Sequence, residues 1–114
     1  MTVTFEGVSH HKTRVNGVEL HWVEKGRGPL ILLMHGFPEF WWSWRKQIDP
    51  LSRSFRVVAV DMRGFNESEK PASGYDTTTL ARDMRDLIDH LGGPAYVAGH
   101  DWGGIIAYQL ATDW

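Results

Sequence analysis

Three short runs of consecutive apolar residues recur along the chain: LILLM at 30–34, RVVAV at 56–60 and AYVAG at 95–99. Apolar runs of this length are typical of strands that are covered on both faces, as in a parallel sheet. Two further β-type runs, HHKTRV and VELHWVEKG, flank Asn16-Gly17, a dipeptide that favours a two-residue hairpin turn. The pattern predicts an opening antiparallel hairpin followed by a mostly parallel sheet.

Helical periods separate these strands. Residues 77–91 begin after Asp76, a favourable N-cap, and end at a Gly-Gly-Pro sequence. Their apolar positions share one helix face: Leu80, Met84, Leu87, Ile88 and Leu91. A shorter helix is predicted over roughly residues 42–52. Strands that alternate with helices predict a three-layer α/β sandwich with a flavodoxin-like core.

Composition narrows the possible functions. The 114 residues include 12 basic and 14 acidic side chains, so the chain lacks the positive charge that nucleic acid or an anionic membrane attracts. No apolar run approaches the roughly 20 residues that span a bilayer. The absence of cysteine excludes a disulfide framework and a thiolate nucleophile. We expect one domain over residues 1–114, cytoplasmic, without nucleic acid or membrane as partner.

The histidines of the hairpin and the charged residues after the VVAV run do not indicate a binding site. His10, His11 and His21 lack metal-ligand spacing on one element, so no metal and no cofactor are predicted. The charges of RGFNESEK, which includes Arg63, are expected in a solvated loop.

The stretch VAGHDWGG at 97–104 places a carboxylate at a sharp corner between a predicted strand and a helix-like apolar run. Gly99 precedes Asp101, and Gly103 and Gly104 follow it. Small residues on both sides allow the strand and helix backbones to approach closely, so the central side chain points outward. The pattern indicates a nucleophile elbow with Asp101 as the nucleophile. The alternative is that Asp101 only caps the following helix.

A second motif, HGFPEFWWSWR at 35–45, follows the first buried strand. The chain turns through its HGFP sequence, where Pro38 restricts the loop. Such a loop can direct the backbone N–H of Phe37 into the same cleft as the N–H of Trp102, the residue after Asp101. Two backbone donors that meet in this way form an oxyanion hole.

HGFPEFWWSWRKQI, VVAVDMRGFNESEKP and VAGHDWGG, in this order, resemble the N-terminal half of an α/β-hydrolase, nearest to the soluble epoxide hydrolases. The resemblance implies that the Asp101 carboxylate attacks an electrophilic carbon, and that histidine-activated water hydrolyses the resulting alkyl ester. It implies Phe37 and Trp102 as oxyanion-hole donors, and Phe37, Pro38 and Trp102 as substrate contacts. It assigns structural roles, including hydrogen bonds of the loop and the elbow, to His35, Gly36, Gly99, His100, Gly103 and Gly104. Asp61, Arg63 and Gly64 after the VVAV strand also match a loop of the family, and the resemblance implies that they fix its conformation.

Haloalkane dehalogenases are the second family that this chain resembles. They also have a Trp after the nucleophile, here Trp102, but they often have an Asn at the position of Phe37. The HGFPE and HDWGG motifs therefore favour an epoxide over an alkyl halide as the small-molecule substrate.

Complete members of these families are longer, with a helical cap and further strands that carry the acid partner and the catalytic histidine. We therefore expect a partial core domain whose parent hydrolyses epoxides and which lacks turnover by itself. The alternative is a non-catalytic, self-assembling α/β module. In either case the strand at 95–99 should be a sheet edge without Lys or Pro, beside uncovered Ile105, Ile106 and Tyr108, which predicts a homodimer through this edge.

Overall fold

An antiparallel hairpin opens the structure, a computed structural model that describes residues 7–113; residues 1–6 and 114 of the predicted domain lie outside the described residues. Strands β1 (Ser9–Val15) and β2 (Val18–Lys25) pair antiparallel along their whole length. Asn16 and Gly17 form the turn with φ values of 48° and 75°. Two successive positive φ values are what a type I′ hairpin turn requires. The predicted hairpin is confirmed.

The three apolar runs form the parallel part of the sheet, as β3 (Leu30–Met34), β4 (Arg56–Val60) and β5 (Ala95–Gly99). Strand β3 lies between β4 and β5 and is parallel to both. Strand β2 adds to β4 in antiparallel orientation, which gives the order β1-β2-β4-β3-β5. The sheet is therefore mixed: the three apolar runs form its parallel core, and the opening hairpin extends this core in antiparallel orientation.

Three α-helices accompany the sheet within the described residues: α1 (Arg45–Ser52), α2 (Thr77–His90) and α3 (Trp102–Asp113). The Asp76 side chain accepts a hydrogen bond from the backbone N–H of Thr79 at 3.0 Å, so the predicted N-cap of α2 is formed. The predicted helix over 42–52 is a 3-10 helix followed directly by α1.

Apolar clusters on both faces of the sheet make the sandwich three-layered. On one face α2 and α3 contribute Leu87 and Ile106, which pack in one cluster with Val58 of β4. On the other face, Trp41 and Ile48 from the 3-10 helix and α1 pack against the sheet. All five side chains are essentially excluded from solvent. The predicted α/β sandwich is confirmed.

Strand β5 is an edge strand, since among residues 7–113 it pairs only with β3. Its residues are only partly buried, and Tyr96 is 63% exposed, which differs from the doubly covered strand that its apolar sequence predicts. On the adjacent helix Ile105 and Tyr108 are exposed, as expected. Ile106 is fully buried, contrary to expectation, because it faces the apolar cluster beneath α3.

Candidate active site

Asp101 occupies the sharp turn between β5 and α3. Its φ of 57° lies in the left-handed region, which non-glycine residues seldom adopt. Its carbonyl accepts the first hydrogen bond of α3, from Ile105 N at 3.2 Å, while its carboxylate Oδ2 accepts one from Phe37 N at 3.2 Å. The N–H of Gly103 donates to the carbonyl of His100 at 2.9 Å. Asp101 therefore starts the helix with its backbone and presents its carboxylate to the HGFP loop.

Two of the three elbow glycines are required by close backbone contacts. A Cβ atom on Gly103 would lie 2.1 Å from the carbonyl oxygen of Met34, and one on Gly99 would lie 2.1 Å from the carbonyl oxygen of Gly103. A Cβ atom on Gly104 would have its nearest neighbour at 3.6 Å, an ordinary van der Waals contact. Close approach therefore does not require a glycine at position 104, because a Cβ atom there would only make ordinary contact with the Gly99 carbonyl group at the end of β5.

The HGFP loop is shaped to meet this elbow. A Cβ atom on Gly36 would lie 2.6 Å from the Cβ atom of Asp101, so only glycine permits this approach. The loop closes on itself, because Glu39 N donates to the Gly36 carbonyl at 2.8 Å and Glu39 Oε1 accepts from Gly36 N at 3.2 Å. No local pattern indicates Glu39 as the residue that holds the loop together. Pro38 is exposed.

His35 joins the HGFP loop to the chain after β4. Its Nε2 accepts a hydrogen bond from Met62 N at 2.9 Å, so the proton is on Nδ1, which donates to the Gly36 carbonyl at 2.9 Å. Burial lowers the pKa of His35 below its ordinary value, which favours the neutral ring that this pattern needs. Both ring nitrogens are used in holding the loop.

His100 differs from the expectation that its side chain bonds the elbow. The imidazole is exposed, and its Nδ1 lies 3.7 Å from Oε1 of Glu39, beyond hydrogen-bond distance. The backbone of His100 holds the turn instead: its N–H donates to the Met34 carbonyl at 3.2 Å, and its carbonyl accepts from Gly103. Any residue with a backbone N–H could make these bonds. The motif alone therefore does not show whether the side chain or the backbone of His100 holds the turn.

A cavity of about 540 Å³ lies beside the elbow. Phe37 and Trp102, two of the predicted substrate contacts, line it, whereas Pro38, the third, is not among its lining residues. The walls are largely apolar, with Met62, Phe65, Tyr75 and Leu80 among the contributors. Trp102 is the first residue of α3, where backbone N–H groups have no partner within the helix. An apolar cavity with a few polar groups is typical of a small-molecule site.

Asp61 anchors the loop that forms one wall of this cavity. Its buried carboxylate accepts hydrogen bonds from Trp41 N at 2.8 Å, from Asn66 Nδ2 at 2.9 Å and from His21 Nδ1 at 2.7 Å. These donors come from the 3-10 helix, the loop itself and β2. One carboxylate thereby connects three separate segments.

Arg63, in the same wall, is buried and holds the loop as expected, so it departs from the solvated environment expected for the charges of RGFNESEK. Its Nε and Nη2 donate to the two carboxylate oxygens of Asp83 at 2.9 and 2.8 Å. Asn16 Nδ2 donates to Asp83 Oδ1 at 2.9 Å. The hydrogen bonds between Arg63 and Asp83 raise the pKa of Arg63. Asp83 lies on the buried face of α2, and the apolar periodicity of the helix does not predict a charged residue there.

Residues 29–113 match the family model for the alpha/beta hydrolase fold. The chain belongs to the α/β-hydrolase fold family. Within it, the chain is 44% identical over 107 residues to a soluble epoxide hydrolase of Corynebacterium sp. (strain C12), covering 93% of this chain and 37% of that protein. It is 48% identical to epoxide hydrolase 4 of Mus musculus over 102 residues, which cover 85% of this chain and 28% of the relative.

Solved structures give the same relationship for this α/β-hydrolase chain. The crystal structure of an epoxide hydrolase from Vigna radiata matches with a TM-score of 0.91 and 45% identity, covering 94% of this chain and 36% of that one. The chain thus spans about a third of the length of the relatives it matches. None of the helices within residues 7–113 has the length and apolar character needed to cross a membrane.

Proposed function

We propose that this chain supplies the nucleophile and oxyanion hole of an epoxide hydrolase. The observation that carries the proposal is the hydrogen bond from Phe37 N to Asp101 Oδ2, at a left-handed elbow beside an apolar cavity. The identity to proteins named as epoxide hydrolases supports an epoxide as the substrate class.

In the first step, a carboxylate oxygen of Asp101 attacks a ring carbon of the epoxide. A new C–O ester bond forms while the ring C–O bond breaks, and the ring oxygen takes the electron pair and then a proton from water or an acid. In the second step, a water molecule that loses its proton to a base adds to the ester carbonyl, and the negative charge develops on the former carboxylate oxygen. When the carbonyl re-forms, the acyl C–O ester bond breaks, the diol leaves with a proton on its oxygen, and the Asp101 carboxylate is restored. The N–H of Phe37 already faces that carboxylate, and the N–H of Trp102 is the proposed second donor.

The second step needs a base to deprotonate the water. Two histidines lie near the elbow among the described residues. Both ring nitrogens of His35 are hydrogen-bonded to the backbone, and the exposed imidazole of His100 has its Nδ1 3.7 Å from Oε1 of Glu39, so we assign the base to neither. We therefore propose that the 114-residue chain forms the ester once and does not hydrolyse it in repeated turnovers.

Intact mass spectrometry tests this proposal directly. The chain is incubated with styrene oxide, and we expect one adduct that peptide mapping assigns to Asp101. The matched control is Asp101→Asn, which keeps the shape of the side chain but removes the anionic nucleophile. Absence of the adduct would contradict Asp101 as nucleophile, and steady diol formation that depends on Asp101 would contradict the single turnover.

An alkyl halide is the second candidate substrate, favoured by Trp102, whose partly exposed indole lines the cavity where a halide would leave. An alkyl bromide of similar size to styrene oxide is the comparison. Labelling by the bromide alone would replace the epoxide proposal, since both reactions use the same carboxylate.

A further inference from the structure

Three side chains with metal-binding atoms converge on the outer side of the hairpin, away from the elbow residues. They are His10 of β1, His21 of β2 and Glu67 of the loop after β4, and their ligand atoms all lie within 4.8 Å of one another. His10 Nδ1 lies 2.9 Å from His21 Nε2, and His21 Nε2 lies 3.9 Å from Glu67 Oε2. We propose that these three residues bind a divalent transition-metal ion of the Zn²⁺ class.

Spacing along one element could not reveal this cluster. In the hairpin register His10 pairs with Val23, so His21 is its diagonal neighbour on the adjacent strand. Side chains in this diagonal relationship lie on the same face and within reach of each other. Glu67 then reaches the pair from a loop more than forty positions away, held in place by the Asp61 network.

His21 is oriented as a metal ligand should be. Its Nδ1 donates to Asp61 Oδ2 at 2.7 Å, so Nε2 is unprotonated, and its lone pair accepts a hydrogen bond from His10 Nδ1 at 2.9 Å that an ion between the two nitrogens would replace. A carboxylate behind a ligand histidine fixes the tautomer and increases the basicity of the ligating nitrogen. The side chain of His21 is only 2% exposed and that of Asp61 is fully buried, so the orientation is rigid.

Glu67 supplies an observation that points to a missing partner. Its Oε2 atom is buried and accepts no hydrogen bond, although buried carboxylate oxygens are normally paired. A cation between Glu67 and the two imidazoles would supply that partner. Two imidazoles and one carboxylate form a ligand set that suits Zn²⁺ and leaves a fourth position for water.

Closing the site around an ion requires movement of the two outer ligands. Tetrahedral zinc with bonds of about 2.0–2.1 Å places neighbouring ligand atoms about 3.3 Å apart. The His10–His21 pair, at 2.9 Å, must therefore open slightly, while Glu67 must move closer to His21, now 3.9 Å away, and to His10, which lies within 4.8 Å. His10 is exposed and Glu67 is only partly buried, so both can move toward the rigid His21.

Such an ion would fasten the hairpin to the loop that forms one cavity wall. Glu67 follows Met62, Arg63, Gly64 and Phe65, which all line the cavity beside Asp101. Binding of the metal should therefore raise the thermal stability of the chain.

Isothermal titration of the 114-residue chain with ZnCl₂ tests the site. We expect one Zn²⁺ per chain, with affinity weakened about tenfold or more by His10→Ala and by Glu67→Gln. His90→Ala is the matched control, because this exposed histidine contacts Thr13 outside the cluster and its loss should leave the affinity unchanged. Circular dichroism of each variant checks that a loss of affinity is not a loss of folding.

The absorption spectrum of the Co²⁺ form gives a second readout, since visible bands of tetrahedral cobalt should disappear in both cluster variants. The proposal is overturned if Zn²⁺ does not bind, or if it binds equally well to the parent chain and to both cluster variants.

Discussion

The backbone N–H of Phe37 lies 3.2 Å from Oδ2 of Asp101, although the two residues are 64 positions apart in the sequence. The contact exists because β3 and β5 are parallel neighbours, so the loops that follow them emerge at the same sheet edge. The glycine at position 36 then permits the loop to touch the elbow. The topology of the sheet, rather than any local sequence preference, brings donor and carboxylate together.

Two adjacent glycines of α3 should respond in opposite ways to the same change. Gly103→Ala places a methyl group 2.1 Å from the Met34 carbonyl oxygen, so the backbone must shift and we expect a loss of about 1–3 kcal/mol. Gly104→Ala meets only an ordinary contact at 3.6 Å and gains helix propensity, worth up to about 1 kcal/mol. Urea denaturation of both variants provides the comparison. Equal effects would mean that the helix does not approach β3 as closely as described.

Breaking the buried pair of Arg63 and Asp83 should be strongly destabilising. Asp83→Ala leaves the guanidinium buried without its partner, and such losses typically cost about 3–5 kcal/mol. The control on the same helix is Asp86→Ala, which removes the more exposed i,i+4 pair with Arg82 and should cost less than about 1 kcal/mol. Chemical denaturation distinguishes them, and a small effect of Asp83→Ala would show that the pair is solvated.

The neutral ring of His35 should make the fold sensitive to acid. Because burial lowers its pKa in the folded state, the unfolded chain binds the proton more readily. The stability that this residue contributes is therefore complete above the unfolded pKa of about 6.5 and decreases as the pH falls below it. Nitrogen-15 NMR of the imidazole above the unfolded pKa of about 6.5 should show a proton on Nδ1 and none on Nε2. A protonated Nε2 in the folded chain at that pH would contradict the hydrogen bond from Met62.

The open edge of β5 and the exposed apolar side chains of α3 lead us to propose that two copies of this chain associate. Light scattering after size-exclusion chromatography should give twice the mass of one chain, and Tyr108→Lys on the exposed face should lower it. Gln47→Lys adds the same charge on α1, which packs on the opposite face of the sheet, and should have no effect. A monomer at micromolar concentration would contradict the proposed dimer and the self-assembling module with it.

Strands and helices were predictable because their signals are local. The Asn16-Gly17 turn, the Asp76 cap and the apolar period of α2 each depend on a few neighbouring residues. The two motifs of the site also predicted where Phe37 and Asp101 would lie, since strand ends in a parallel sheet share one edge.

The remaining features depend on side chains that meet only in the folded chain. Arg63 and Asp83 are separated by a loop and a helix turn, and His10 and His21 belong to different strands. The HGFP letters likewise do not specify that Phe37 lines the cavity while Pro38 does not. Such side-chain pairs can be recognised only when the register of the strands and the orientation of the helices are known.

The left-handed backbone of Asp101 is a conformation that residues with a side chain seldom adopt. A side chain at φ 57° costs on the order of 1 kcal/mol that glycine would not incur. Thermal melts should therefore rank Asp101→Gly above Asp101→Ala in stability, and the reverse order would show that the turn is relaxed. Glycine would give this turn a higher free energy of unfolding, so the aspartate provides its carboxylate with a loss of stability.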